Sequence, residues 1–181
     1  MKRVTNILLF GVLLPLYAVL FFYALLFKNV PPQALFDPAR EITRELTLAP
    51  FQTIRMYLTT FSNPIIALTN IVGNIALFVP LGLYLQLLMK DKCVIKAALI
   101  VLAATVTAEA LQYALGLGRA DVDDIILNFL GGLIGIFGYR ILKALLKDED
   151  KVRALIVITA ATLILAVVLV PRILGIQLRL I

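Results

Sequence analysis

ILLFGVLLPLYAVLFFYALLF, residues 7–27, is a run of twenty-one residues without a charge. An α-helix rises 1.5 Å per residue, so the run is close to the ~20 residues that cross a ~30 Å hydrocarbon core. Lys2 and Arg3 precede it, and it closes in Leu-Leu-Phe before Lys28. A cleaved signal peptide has a shorter apolar region and ends in small residues. The run therefore reads as an uncleaved membrane span, with Pro15 as a kink.

Four more apolar runs follow, at about 64–89, 94–115, 125–142 and 154–170. They account for a chain of 181 residues that is 62% apolar and only 15% charged, against about 45–50% and about 25% in ordinary soluble domains. The mean hydropathy is +1.02. This composition excludes disorder and argues against a soluble core. The expected fold is all-α: a polytopic transmembrane bundle of about five spans forming one integral membrane domain over residues 1–181. Connections are short except for residues 28–63. Within that loop Phe51, Ile54, Leu58 and Phe61 fall at helical spacing opposite Gln52 and Arg55, which predicts a short helix. It either lies in the membrane interface or folds back on the bundle. No internal repeat is visible, which disfavours an inverted-repeat transporter.

An odd number of spans puts the termini on opposite sides of the membrane, and the positive charges then choose the orientation. The N-terminal side collects ten Lys and Arg, among them Lys2, Arg3, Lys90, Lys92, Lys96, Arg140 and Lys143. The other side holds seven, of which Arg40, Arg44 and Arg55 lie well inside the long loop. This places the N-terminus in the cytoplasm and the C-terminus outside, in a cell membrane. The net charge of +6 reads as loop charge facing anionic lipid, and no stripe of Arg with interleaved aromatics suggests a nucleic-acid partner. His is absent and Cys93 is the lone cysteine. Within one chain this removes disulfides, Cys/His zinc sites and His-based catalytic triads. Chemistry is left to carboxylates, amides, hydroxyls and arginine, and no metal or cofactor is assigned.

In this orientation the embedded polar residues gather in the outer half. Asn63-Pro64 resembles an N-cap followed by a first-turn proline, so Asn70 and Asn74 lie one to three turns below the outer surface, on one helix face. Thr105, Glu109 and Gln112 share a face of the third span. Asn128 sits about one turn inside the fourth, just after the loop of Arg119, Asp121, Asp123 and Asp124. A carboxylate at the centre of a span costs about 2.5–3.5 kcal/mol on insertion scales, so Glu109 needs a partner. Arg119 is the obvious cation, with Asn74, Gln112 and Asn128 completing a network. Either the network only joins helices, or it lines an outward polar pocket for a lipid headgroup or similar amphiphile. A proton or ion path is the third possibility.

The acidic run 121–124 reads either as helix-capping residues or, with Glu109, as oxygen ligands for a divalent cation. Gly131, Gly132, Gly135 and Gly138 mark the fourth span, and Gly131 and Gly135 have the small-xxx-small spacing of a helix–helix contact, here or with a partner helix. Pro80 should kink the second span, since it cannot donate to the carbonyl of Ala76.

NIVGNIALFVPLG (70–82), EALQ (109–112), Gly118-Arg119, DDIILN (123–128) and Gly131, Gly132 and Gly135 together resemble the VanZ-like family. Upstream, APFQTI (49–54) is similar to a Pro-Phe-x-Thr-Ile segment that precedes these motifs. The resemblance covers about residues 50–139. It implies an integral membrane protein of a family whose namesake is associated with resistance to the lipoglycopeptide teicoplanin, and it brings no agreed enzymatic activity.

Three functions are consistent with these residues. One is binding of a membrane lipid, a lipid-linked envelope precursor or a lipoglycopeptide, through Asn70, Asn74, Glu109, Gln112, Arg119, Asp121, Asp123, Asp124 and Asn128. Another is an enzyme acting on a lipid headgroup, with Glu109 and one of the aspartates as an acid/base pair; no nucleophile motif supports it. The last is transport coupled to protonation of Glu109.

Overall fold

The structure, a computed structural model, describes residues 2–28, 30–37, 40, 42, 44–59 and 64–173. In chain order it contains α1 (Lys2–Asn6), a π-helical segment (Ile7–Leu13), α2 (Leu14–Phe27), a 3-10 turn (Pro32–Phe36) and β1 (Glu45–Thr47). Then come α3 (Gln52–Thr59), α4 (Pro64–Leu88), α5 (Val94–Ala114), β2 (Arg119–Asp121), α6 (Val122–Leu146) and α7 (Glu149–Ile173). Among the described residues four helices are long and apolar enough to cross a membrane: Lys2–Phe27, Leu68–Leu88, Val94–Ala114 and Val122–Leu146. The fifth expected run falls within α7, a helix of 25 residues. Asn63 and Phe61 lie outside the described residues.

Burial in these helices is inverted relative to a soluble protein. Along α5 the buried face carries Ala97, Val101, Thr105, Ala108, Glu109 and Gln112, while Ile95, Leu99, Leu102 and Val106 are exposed. Polar groups pointing inward and branched apolar groups pointing outward suit hydrocarbon as the surrounding solvent. The chain is thus a multi-spanning helical membrane protein, as its composition demands.

The chain divides into two compact units, residues 1–18 with 142–181, and residues 19–141. In the first, the N-terminal helix and α7 run parallel. Lys2 pairs with Asp150, and Arg153 donates to Asn6 Oδ1 at 3.0 Å. Further along, Leu8, Val12 and Leu13 lie beside Val157, Ala161 and Leu165. The π-helical segment ends with the Leu14 N–H bonded to the Leu9 carbonyl, one residue before Pro15. A wider turn is a usual way to take in a proline whose ring would clash with the carbonyl four residues back, here that of Gly11.

In the second unit the seam between α4 and α6 is built on glycine. A Cβ at Gly131 would collide with the Ile75 carbonyl, one at Gly135 with the Val79 carbonyl, and one at Gly82 with the Gly132 carbonyl. Gly132 in turn faces Val101 of α5. The helix–helix contact expected through Gly131 and Gly135 is therefore made to α4 of the same chain. Gly138 has open space before it and takes no part. α4 stays helical through Pro80.

α5 ends at a glycine for a conformational reason. Gly116 has φ +60°, its N–H bonds to the Tyr113 carbonyl at 3.1 Å, and the Leu117 N–H bonds to the Gln112 carbonyl at 2.8 Å. This pair of bonds is a Schellman stop, which needs a left-handed residue. The chain then enters β2, which pairs in parallel with β1 in the register Glu45 to Arg119, Leu46 to Ala120 and Thr47 to Asp121. This small sheet is absent from the all-α expectation; at three residues per strand it is too short to leave a pattern in the sequence.

Candidate functional site

The site forms where α5 gives way to α6, and aspartates build it by capping helices. Asp121 precedes α6, and its Oδ1 accepts the Asp123 N–H at 2.9 Å, the usual N-cap bond to the second residue of a helix. Asp123 turns away from its own helix. It is 0% exposed and accepts the backbone N–H groups of Phe51 and Ile54, the latter at 2.9 Å. Those are free donors at the start of α3, so one carboxylate serves the N-terminus of another helix. Of the two positions expected for α3, its first turn is folded back on the bundle. Phe51, with φ 63°, is the strained residue that lets the chain enter it.

On this frame a polar cavity of about 190 Å³ opens, lined by Lys28, Glu45, Thr53, Arg119, Asp121 and Asp124 together with Gly118. Asp124 ion-pairs with Lys28 from the end of α2, and its other oxygen accepts from Asn74 Nδ2. Asn74 Oδ1 accepts from Lys28 Nζ at 3.3 Å, so the three side chains close a triangle between α2, α4 and α6. Asp121 Oδ2 accepts from the Thr53 hydroxyl at 2.6 Å and meets Arg119 Nη2 at 3.3 Å.

Glu109 stands behind this wall. It is 5% exposed, and its Oε2 accepts the Asp121 N–H at 2.9 Å. The expected Glu109–Arg119 pair is not made: among the described residues the guanidinium pairs with Asp121. The donor that meets the carboxylate is the Asp121 N–H at the end of β2, while Arg119 at the start of that strand also donates to Thr53 Oγ1 at 3.4 Å. Gln112 is bonded through Nε2 to the Leu25 carbonyl of α2 at 2.6 Å, and Asn128 Nδ2 donates to Thr105 Oγ1 at 3.0 Å. Gln112 Oε1 and Asn128 Oδ1 are buried with no acceptor contact filled among the described residues. Asn70 lies half-buried one turn before Asn74.

Of the nine expected residues, then, Arg119, Asp121 and Asp124 line the cavity, Asn74 and Glu109 hold its lining, Asp123, Gln112 and Asn128 tie helices together, and Asn70 is not part of the lining. Lys28, Glu45 and Thr53 also line it and were not expected. Thr53 lies inside APFQTI, which is the one sequence signal that pointed there. Arg40 and Arg44, which the sequence presents as loop charge, serve carbonyls at the C-terminal end of α5 and just past it: Arg44 donates to Ala114 O and Arg40 to Gly116 O, a favourable place for cations. Among the described residues no group of three or more carboxylate or Cys side chains is disposed to hold a metal ion.

A bundle of lipid-facing helices with a charged cavity at an inter-helix turn defines a polytopic helical membrane protein. The VanZ/LLP1 family model matches residues 4–143, most of the chain, and the protein belongs to that family. It is 26% identical over 156 residues to Protein VanZ of Enterococcus faecium, covering 86% of this chain and 89% of that protein. No solved structure matches the chain.

Proposed function

We propose that the cavity at the α5–α6 turn binds the polar headgroup of a membrane amphiphile, and that occupancy changes how a glycopeptide of the teicoplanin type meets the cell surface. The amphiphile is a lipid, a lipid-linked envelope precursor or the lipoglycopeptide itself. In this reading the chain crosses the membrane five times with its N-terminus in the cytoplasm, so the cavity opens to the outer leaflet. The parallel pairing of the N-terminal helix with α7 supports an odd number of spans, because helices one and five then point the same way.

The observation that carries the reading is the charge pattern of the lining. Lys28 and Arg119 face Asp121, Asp124 and Glu45 around about 190 Å³, so both ends of a zwitterionic or hydrogen-bonding headgroup find complementary groups. Drug-sized ligands occupy sites of about 300–1,000 Å³, so the cavity suits one polar moiety with the rest of the amphiphile in the bilayer. Acid/base catalysis draws less support, since Asp121 and Asp123 spend oxygens on backbone N–H groups and Glu109 holds one as well.

The test is teicoplanin susceptibility in a sensitive host expressing the wild type, Asp124→Asn or Thr53→Val at equal membrane levels. The wild type is expected to shift susceptibility and both variants to lose the shift. An equal shift from all three would overturn the cavity as the functional site.

A further inference from the structure

The unit formed by residues 1–18 and 142–181 carries a polar cavity of its own, of about 360 Å³, which the site above does not use. Lys2, Lys151 and Arg153 line it with Thr5, Asn6, Asp148 and Asp150. Lys2 is paired with Asp150 and Arg153 with Glu149, and Lys151 is the third cation on the lining. Arg153 is anchored there: Nη1 donates to Asn6 Oδ1 at 3.0 Å and Nη2 to Glu149 Oε1 at 2.8 Å, and its carbon stands 5.8 Å from the centre of the Phe10 ring. Its Nε–H is buried with no acceptor among the described residues. A buried guanidinium donor that lacks an acceptor favours an acceptor-only group such as a phosphate.

Directly along the same two helices runs an apolar groove of about 340 Å³, lined by Leu8, Val12, Val157, Ala161 and Leu165 with neighbours. The helical steps join cavity and groove: residues 5, 8 and 12 share one face of the N-terminal helix, and 154, 157, 161 and 165 share one face of α7. From Ala154 to Leu165 is about 16 Å at 1.5 Å per residue, about half the ~30 Å hydrocarbon core. A polar cup lined by Lys151 and Arg153 therefore leads into an apolar trough as deep as one leaflet.

We propose that this pair of cavities binds one anionic phospholipid, its phosphate against Arg153 and Lys151 and one acyl chain in the groove between the N-terminal helix and α7. The site is independent of the cavity at the α5–α6 turn, and its occupant belongs to the leaflet that faces the N-terminus.

The test uses the full chain in nanodiscs of phosphatidylcholine doped with phosphatidylglycerol, followed by native mass spectrometry of the released protein. The wild type is expected to retain one phosphatidylglycerol in preference to phosphatidylcholine. Because Arg153 also ties Asn6 and Glu149, the decisive variants are Lys151→Gln and Ala161→Phe, both at exposed positions. Lys151→Gln removes a charged contact and should reduce retention about tenfold; Ala161→Phe fills the groove and should abolish it. Asp124→Asn should retain the lipid as the wild type does, which separates this site from the one above. Equal retention of both lipids by the wild type, or undiminished retention in both decisive variants, would overturn the proposal.

Discussion

The seam between α4 and α6 and the turn between α5 and α6 lie in one unit of the molecule and share a helix, yet they are held by opposite means. At the seam, glycines bring backbones together with no room for a methyl group at Gly82, Gly131 or Gly135. Without a hydrophobic drive between helices in lipid, close packing of this kind is what joins them. At the turn, every element is held by a directed polar bond: Asp123 to α3, Glu109 to the Asp121 N–H, Gln112 to α2, Asn74 to Asp124. The seam tolerates no added volume, whereas the turn tolerates shape changes that keep its hydrogen bonds. A close-packed joint thus positions a charged cup held together by directed polar bonds.

That contrast is broken most severely at the seam. Gly135→Leu forces α6 away from Val79 and Leu83 and should cost about 3 kcal/mol or more, seen as loss of monodisperse protein in detergent. Next is the capping carboxylate. Asp123→Ala leaves the Phe51 and Ile54 N–H groups without their acceptor and should cost about 2–3 kcal/mol, with amide exchange accelerated in α3 before the rest of the protein; unchanged exchange there would refute the capping role. Asp124→Asn should lower stability by no more than about 1 kcal/mol, since Lys28 and Asp124 are partly exposed, while weakening headgroup retention about tenfold. The smallest effect is expected at Gln86, fully buried with neither side-chain amide atom bonded among the described residues. Gln86→Leu should leave thermal stability unchanged or raise it, because an apolar group of similar shape removes a desolvated amide; a clear loss of stability would show that the amide has a partner.

The sequence disclosed a multi-spanning helical bundle, because runs of twenty apolar residues admit few other structures, and it disclosed which helices carry the polar face, because Asn74, Glu109 and Asn128 are conspicuous in such runs. It did not disclose who meets whom. Lys28 and Asp124 are separated by 96 residues, and no local spacing joins them. Asp123 looked like a cap for its own helix and instead serves α3, while Asp121 does the capping of α6. Charge alone pairs Arg119 with Glu109; in the three-residue strand β2 the guanidinium meets Asp121 instead. Thr53 lay inside a motif whose residues had no assigned chemistry until the fold laid it against Asp121.

The most direct test of the proposal that the cavity at the α5–α6 turn binds a headgroup is native mass spectrometry of the full chain, gently extracted from the membrane of its expression host, run beside Asp124→Asn and Ala161→Phe. A lipid or lipid-linked species present in the wild type, kept in Ala161→Phe and lost in an equally folded Asp124→Asn is the predicted result. Identical spectra from the wild type and Asp124→Asn would contradict it, and would reduce the cluster of Lys28, Asn74 and Asp124 to a device for joining three helices.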